Sequence, residues 1–150
     1  MSTYSKILYQ FVFSTKKRKK LLTKPKRETL YKYIGGILRN KQCKLYAING
    51  VEDHLHILTH VHPTISISRL MQDVKQSSSI FIKKKSLFKG FTNWAKGYGA
   101  FTYSYSDRDN LIRYIKGQEA HHKSLTFEEE FVALLEEHEV DYDPRYLFRD

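Results

Sequence analysis

The sequence predicts an α+β domain built around a four-stranded antiparallel β-sheet. Short segments rich in aromatic and β-branched residues alternate with longer segments whose apolar residues recur at helical spacing. The pair Asn49-Gly50 separates two of the strand segments and is a strong hairpin signal. The chain has 150 residues, the common size of one domain, and neither a repeat nor a long linker divides it. We therefore predict one domain over residues 1–150.

The first half of the chain predicts a strand, a helix and a hairpin. Residues 6–15 (KILYQFVFST) form the first strand, and the basic run KKRKK at 16–20 follows it as a loop. A helix begins behind Thr23, with Pro25 in its first turn, and ends near Lys41. The segments KLYAINGV and HLHILTHV are the next two strands.

The second half predicts a helix, a strand and two more helices. Pro63 and Thr64 end the third strand, and apolar residues at helical spacing follow as far as Phe81. The alternating aromatic segment YGAFTYSYS is the fourth strand, DRDNLIRYIKGQEAHH is a short helix, and a capping box of Thr126 and Glu129 begins the last helix. The order β-α-β-β-α-β-α-α predicts a ferredoxin-like, RRM-like sandwich with its helices on one face of the sheet.

The composition predicts a polyanionic partner. Lys plus Arg number 26 and Asp plus Glu number 16, and the resulting net charge of +10 favours nucleic acid. The cationic side chains that we expect to contact DNA phosphates are Lys16, Lys17, Arg18, Lys83, Lys84, Lys85 and Lys96. Trp94 lies among the basic residues, where it either stacks on a base or plugs the edge of the core.

The cysteine content and the hydropathy pattern predict a cytoplasmic protein. Cys43 is the only cysteine, so the chain forms no intrachain disulfide, which fits a reducing compartment. The N-terminal residues show no signal-peptide pattern, and no apolar run approaches the ~20 residues that span a bilayer. We expect neither a membrane partner nor a nucleotide cofactor.

Four histidines lie on one face of the third predicted strand, because side chains two residues apart on a strand share a face. His54 and His56 are ~6–7 Å apart at Cα, so their imidazoles can converge on one metal ion. His60 and His62 lie too far along the strand to join them, and we expect these two to be surface or DNA-contacting residues. The alternative for the pair is the polar outer face of an antiparallel strand, without a metal.

An ordered set of motifs resembles a known family. GVEDHLHIL (50–58) and YIKGQ (114–118), framed by FVFSTK (11–16) and WAKGYGAF (94–101), resemble the single-tyrosine HUH transposases of small bacterial insertion sequences. In the family's name, HUH denotes two histidines around an apolar residue, here His54, Leu55 and His56. The resemblance covers nearly the whole chain, with the motifs in the same order.

The resemblance implies a reaction and a set of site residues. It implies cleavage and rejoining of single-stranded DNA at element ends marked by a hairpin, by a homodimer that acts at the nucleoid. Tyr114 is the implied nucleophile and forms a 5′-phosphotyrosine bond. His54, His56 and Gln118 are the implied ligands of a divalent ion, Mg or Mn.

The spacing of the late helix is compatible with these roles. Tyr114 and Gln118 are four residues apart, so they share one helix face. The rival tyrosines Tyr98, Tyr103 and Tyr105 belong to the fourth strand and have no such carboxamide partner. Outside this set, His122 lies eight residues after Tyr114, roughly on the same face if the helix persists. It either reaches the ion or DNA or is a surface residue at a fraying helix end, and we expect the surface position. Asp53 either orients a ligand imidazole or is a turn acid.

Two other function classes compete with a transposase. The first is a non-catalytic nucleic-acid-binding module, because KGYGAFTY is close to the aromatic strand signature of RNA-recognition motifs. Ala100 stands where that signature has its second aromatic residue. The second is a hydrolytic metal-dependent nuclease, which uses water as its nucleophile and forms no covalent adduct. Within the resembled family, a domesticated relative that processes chromosomal palindromes is a further alternative.

Overall fold

A four-stranded antiparallel sheet of order β2-β3-β1-β4 forms the centre of the computed structural model, which describes residues 1–149. The strands are β1 (Leu8–Ser14), β2 (Leu45–Gly50), β3 (His54–His60) and β4 (Gly99–Tyr103). The helices are α1 (Lys24–Asn40), α2 (Ile67–Lys84), α3 (Arg108–Lys116), α4 (Gln118–His121) and α5 (Phe127–Glu137). Short 3-10 turns cover Lys16–Arg18 and Tyr105–Asp107. The predicted order and sandwich class are confirmed, with the predicted 107–122 helix divided at Gly117.

One face of the sheet carries the main apolar core. Phe11, Phe13, Leu55 and Ile57 alternate along β1 and β3 and pack, fully buried, against α1 and α2. The apolar positions of the two helices that meet them are Leu30, Ile34, Leu38, Leu70, Met71 and Val74. Each fully buried side chain of this size contributes about 1.5–3 kcal/mol through apolar burial, so this face supplies much of the driving force for folding.

The second face of the sheet is also covered, and the prediction of helices on one face is wrong. Leu58 packs against Leu111 and Ile115 of α3, while Val12 packs in a separate cluster with Leu134 of α5. His54 and His56 lie on this same face and have no solvent exposure. The histidine face is therefore interior rather than the polar outer face of a strand, and three late helices separate it from water.

The hairpin turn between β2 and β3 does not lie at Asn49-Gly50, so that prediction is also wrong. Both residues belong to β2, with Asn49 paired to His56 and Gly50 to Leu55. A Cβ atom on Gly50 would lie 2.2 Å from the carbonyl oxygen of His54, so this glycine allows the two strands to approach closely. The Asn49 side chain donates to the carbonyls of Ile115 and Lys116, at 3.0 and 3.1 Å.

Trp94 is a core residue, which agrees with the predicted alternative that it plugs the edge of the core. It is 4% exposed, and its ring lies edge-on to Phe13 with centroids 4.9 Å apart. Its Nε1 donates to the hydroxyl of Ser78 at 3.0 Å. The ring faces are covered by protein, so the prediction that Trp94 stacks on a DNA base is wrong.

Within residues 1–149, the helices lack the combined length and apolar character needed to cross a lipid bilayer.

Gly50→Ala should destabilise the domain by about 1–3 kcal/mol, because the added Cβ clashes with the His54 carbonyl and cannot be relieved without moving the strand pair. Urea unfolding of the two proteins measures the difference. Gly36→Ala is the matched control, since nothing lies within 4 Å of a Cβ at that helical position. That variant should gain stability by about 0.5–1 kcal/mol, and equal effects of the two substitutions would contradict the packing described here.

Candidate active site

Three imidazoles and a carboxylate converge on the second face of the sheet. The Oε1 atom of Glu130 lies 3.2 Å from Nε2 of His54, 2.9 Å from Nε2 of His56 and 3.0 Å from Nε2 of His122. One ligand atom from each of the four residues falls within 4.8 Å of the others, so the four atoms are close enough to share a single ion. The side chain of Glu130 is 3% exposed and that of His122 is 8% exposed. We call these four residues the His/Glu cluster.

Hydrogen bonds on the far side of two rings set the direction of their lone pairs. The Nδ1 atom of His54 lies 2.6 Å from Oδ1 of Asp53, and Nδ1 of His56 lies 2.7 Å from Oε1 of Gln10. Gln10 is itself held because its amide donates to the Tyr103 hydroxyl at 2.8 Å. An Nδ1–H that donates outward leaves Nε2 to act as the ligand atom. Of the two alternatives for Asp53, the contact with His54 favours the orienting role.

The tyrosine and the glutamine of the YIKGQ motif reach the same cluster. The Tyr114 hydroxyl donates to Oε2 of Glu130, and the Tyr114 ring lies 5.9 Å from the His56 ring, centroid to centroid. Oε1 of Gln118 lies 3.2 Å from Nε2 of His54, and its amide donates to Oε2 of Glu130 at 3.0 Å. Although α3 ends at Lys116, the amide of Gly117 still donates to the carbonyl of Arg113, which preserves the helical offset between Tyr114 and Gln118.

The electrostatics of the cluster keep the phenol neutral and the carboxylate charged. Burial raises the pKa of Tyr114, and the adjacent Glu130 carboxylate raises it further. Burial alone would raise the pKa of Glu130, but hydrogen bonds from His122, His54 and His56 together hold that pKa far below its usual range. Burial also lowers the pKa of His56, against the attraction of Glu130. In this state the Tyr114 oxygen is a hydrogen-bond donor and a weak nucleophile.

Two members of the cluster, Glu130 and His122, were absent from the predicted site. Glu130 follows Phe127 by three residues and precedes Phe131 and Leu134, so it lies within the buried stripe of α5. A carboxylate at a stripe position is the sequence signal that could have found it. His122 is an inward-facing residue rather than a surface one, because the chain turns after α4 and brings α5 across it. The prediction of a surface His122 is therefore wrong.

His60, the last residue of β3, and His62, which follows the strand, have hydrogen-bond partners outside the cluster. Nδ1 of His60 accepts the Ile7 amide at 3.1 Å, and Nδ1 of His62 lies 2.7 Å from the Thr64 hydroxyl. Neither belongs to the His/Glu cluster.

A basic cleft opens beside the cluster. It has a volume of about 860 Å³ and is lined by His122 and Asp53 at its inner end. The cationic side chains on its walls are Lys17, Arg18, Lys20, Lys24, Arg27 and Lys123, and the acidic ones are Glu52, Asp53, Glu119 and Glu128. Lys24 and Arg27 are paired with Glu119, so the cleft is mixed in charge with an excess of cations. Among the predicted DNA contacts, Lys16 is exposed and directly precedes Lys17, which lines this cleft. Lys96 lines a second pocket, together with Arg18. Lys83 and Lys84 end α2, which packs on the opposite face of the sheet, and Lys85 follows it.

The sequence of the chain matches a known family over most of its length. Residues 3–118 match the family described as "Transposase IS200 like", and the chain belongs to that family. The matched range contains His54, His56, Tyr114 and Gln118. His122 and Glu130 lie beyond it.

Two solved structures share the fold. One is a candidate transposase from Deinococcus radiodurans R1, with 22% identity over 79% of this chain and 95% of that chain, at a TM-score of 0.59. The other is a REP-associated tyrosine transposase bound to a REP hairpin, with 17% identity over 81% of this chain and 74% of that chain, also at a TM-score of 0.59. A search of curated protein sequences finds no match.

Asp53→Asn should reduce the pH dependence of stability in the metal-free protein. Burial lowers the pKa of His54, but the hydrogen bonds of Asp53 and Glu130 outweigh it and raise the pKa from 6.5 to about 9. A raised pKa stabilises the folded state fully below pH 6.5, and this contribution is lost as the pH rises to about 9. Wild type should therefore lose on the order of 1–3 kcal/mol more than Asp53→Asn across that interval.

Urea unfolding at both pH values, in the presence of a chelator, measures this difference. Asp141→Asn, at an exposed carboxylate, is the control and should behave as wild type. Parallel pH profiles of wild type and Asp53→Asn would show that Asp53 does not charge His54.

Proposed function

We propose that this chain is a transposase that cleaves and rejoins single-stranded DNA through a covalent bond between Tyr114 and a 5′-phosphate. One observation carries the proposal. A tyrosine hydroxyl, a pair of imidazoles and a carboxamide meet in one buried cluster, in a chain of a transposase family. All these groups belong to one chain.

The residues present fit a divalent metal ion. His54 and His56 direct Nε2 into the cluster, and Gln118 directs its carbonyl oxygen to the same place. Imidazole nitrogen and amide oxygen are both common metal ligands in proteins. We propose that these three residues hold Mg²⁺ or Mn²⁺. Bound there, the ion would supply Lewis-acid polarisation of the scissile phosphate.

Tyr114 would act as the nucleophile. Its oxygen forms a bond to phosphorus, the bond from phosphorus to the 3′ oxygen breaks, and the departing oxygen takes up a proton to become a 3′-OH. The phenol proton would leave along the existing hydrogen bond to Oε2 of Glu130. The low pKa of that carboxylate lets it pass the proton on to solvent rather than keep it. Because a phosphodiester is exchanged for a phosphotyrosine ester, attack by a 3′-OH on that ester reverses the step and rejoins the strand without ATP.

The basic cleft is the proposed path of the DNA strand. Its cationic walls lead to His122 and Asp53 at the edge of the cluster, so a strand bound there would present a phosphate to the site. We propose Lys16, Lys17 and Arg18 as phosphate contacts along this path, and Lys96 and Lys83 to Lys85 as more distant ones. A DNA hairpin is the proposed ligand, since a structural neighbour was solved with a REP hairpin. A homodimer remains an expectation from the family resemblance.

Tyr114→Phe should abolish the covalent adduct and strand cleavage while DNA binding persists, because it removes only the attacking oxygen. The measurement uses labelled single-stranded DNA from the flanks of the gene, with Mg²⁺ or Mn²⁺, followed by a denaturing gel and peptide mapping. Tyr98→Phe removes the hydroxyl of an exposed rival tyrosine and should leave the adduct unchanged.

The other outcomes distinguish the competing functions. Cleavage without an adduct would favour the hydrolytic nuclease. Binding with neither product, on hairpins from both flanks, would favour the non-catalytic module. An adduct that persists in Tyr114→Phe would place the nucleophile at another residue.

DNA affinity should fall steeply with salt, because neutralised phosphates release counterions. The slope of log K against log salt concentration is about −0.7 for each phosphate contact on a single strand. Lys17→Ala, in the wall of the cleft, should reduce the slope by about that amount. Lys32→Ala removes an exposed lysine on α1, on the opposite face, and should leave the slope as in wild type. A salt-independent affinity would contradict a phosphate-dominated interface.

A further inference from the structure

We propose that Glu130 and His122 are metal ligands that complete the site, and that the resulting donor set selects a first-row transition-metal ion over Mg²⁺. The inference rests on the proposed function, since it takes His54 and His56 as the metal-binding pair. It goes beyond that function by adding two ligands outside the residues matched to the family, which end at 118. It also narrows the choice of ion, from Mg²⁺ or Mn²⁺ to the first-row transition metals.

The positions of the donor atoms support a five-residue site. The same Oε1 atom of Glu130 is within 3.2 Å of Nε2 in His54, His56 and His122, so the carboxylate faces all three imidazoles at once. Gln118 approaches from a fourth direction, with Oε1 at 3.2 Å from Nε2 of His54. An ion among these atoms would meet three imidazole nitrogens, one carboxylate oxygen and one amide oxygen.

The cost of burying these groups argues against a purely structural role. Three imidazoles and a carboxylate are removed from water, which is expensive even when they are mutually paired. A well-packed apolar cluster at the same place would usually be as stable or more stable. Such groups, with outward Nδ1 partners on His54 and His56, are instead the expected arrangement of a prepared metal site.

Glu130 is held firmly enough to serve as a ligand. The helix that carries it begins with a capping box, in which Thr126 and Glu129 exchange side-chain and backbone hydrogen bonds. On either side of Glu130, Phe127 and Phe131 pack against the sheet, and Phe127 also contacts the His54 ring at 4.6 Å between centroids. The carboxylate position is therefore set by helix α5 and its packing, rather than by a mobile loop.

The donor types determine the class of ion. Mg²⁺ prefers an octahedral set of oxygen ligands and keeps several of its waters. Imidazole nitrogen suits iron, nickel, copper and zinc, and the affinity of such a site for divalent first-row ions rises from Mn²⁺ to Cu²⁺. Two imidazoles with an amide leave a weak site that accepts Mg or Mn, whereas three imidazoles with a carboxylate favour transition metals. One carboxylate also offsets part of the charge of the ion inside a buried site.

Direct metal binding to the full-length, chelator-treated protein tests the inference without DNA. Mn²⁺ binding is followed by the loss of the free-ion EPR signal, and Zn²⁺ and Mg²⁺ are added as competitors. Wild type should bind Mn²⁺ and Zn²⁺ at least tenfold more tightly than Mg²⁺. Glu130→Gln and His122→Asn should each weaken Mn²⁺ binding by about tenfold or more. Glu128→Gln, at an exposed position of the same helix, and His62→Asn, outside the cluster, should bind as wild type.

A measurement on wild type alone keeps the test valid if a variant fails to fold. Pulsed EPR of bound Mn²⁺ counts coordinated imidazole nitrogens, and three are expected. A count of only two nitrogens would overturn the inference. Wild-type binding by both Glu130→Gln and His122→Asn would also overturn it, and so would equal affinities of the wild type for Mg²⁺ and Mn²⁺. Failure of the Tyr114 adduct alone would instead count against the proposed reaction, because metal binding is measured without DNA.

Discussion

The carboxylate of Glu130 is the group on which the second half of the structure depends. Its two oxygens contact side chains from β3, the end of α3, α4 and the segment after it. These contacts join segments up to 76 residues apart in the chain. Removing the carboxylate would leave several buried donors without their acceptor, at about 1–3 kcal/mol each. No buried polar side-chain atom in residues 1–149 lacks a hydrogen-bond partner, so the cluster is fully satisfied as it stands.

The late helices cover a face of the sheet that is open in RNA-recognition modules. In RNA-recognition modules the strand aromatics are free to stack on bases. Here Phe101 of β4 is 3% exposed and packs with the ring of Phe131 from α5, which removes it from such a role. The same covering layer brings Tyr114 and Glu130 onto the histidine strand. The closed second face thus disfavours the non-catalytic module and favours chemistry in a desolvated site.

The neutral Tyr114 phenol is a weak nucleophile in the metal-free protein. Burial and a neighbouring carboxylate both raise its pKa, so added positive charge is needed before the phenol becomes a strong nucleophile. A metal ion bound by the His/Glu cluster would supply such charge beside Tyr114, whose hydroxyl contacts Glu130 of that cluster. In the metal-free protein the phenol instead donates its hydrogen bond to Glu130.

Local patterns in the sequence were sufficient for the order of strands and helices, the capping box at Thr126, and the convergence of His54 with His56 and of Tyr114 with Gln118. Each of these depends on residues close together in the chain, where the period of a strand or helix decides which side chains share a face. The covered second face, the interior position of Trp94, the true turn after Gly50, and the roles of His122 and Glu130 required the tertiary structure. They depend on which distant segments pack together, and local patterns do not determine that. The acid in the apolar stripe of α5 is a local signal, but it indicates a metal ligand only when three imidazoles from elsewhere in the chain surround it.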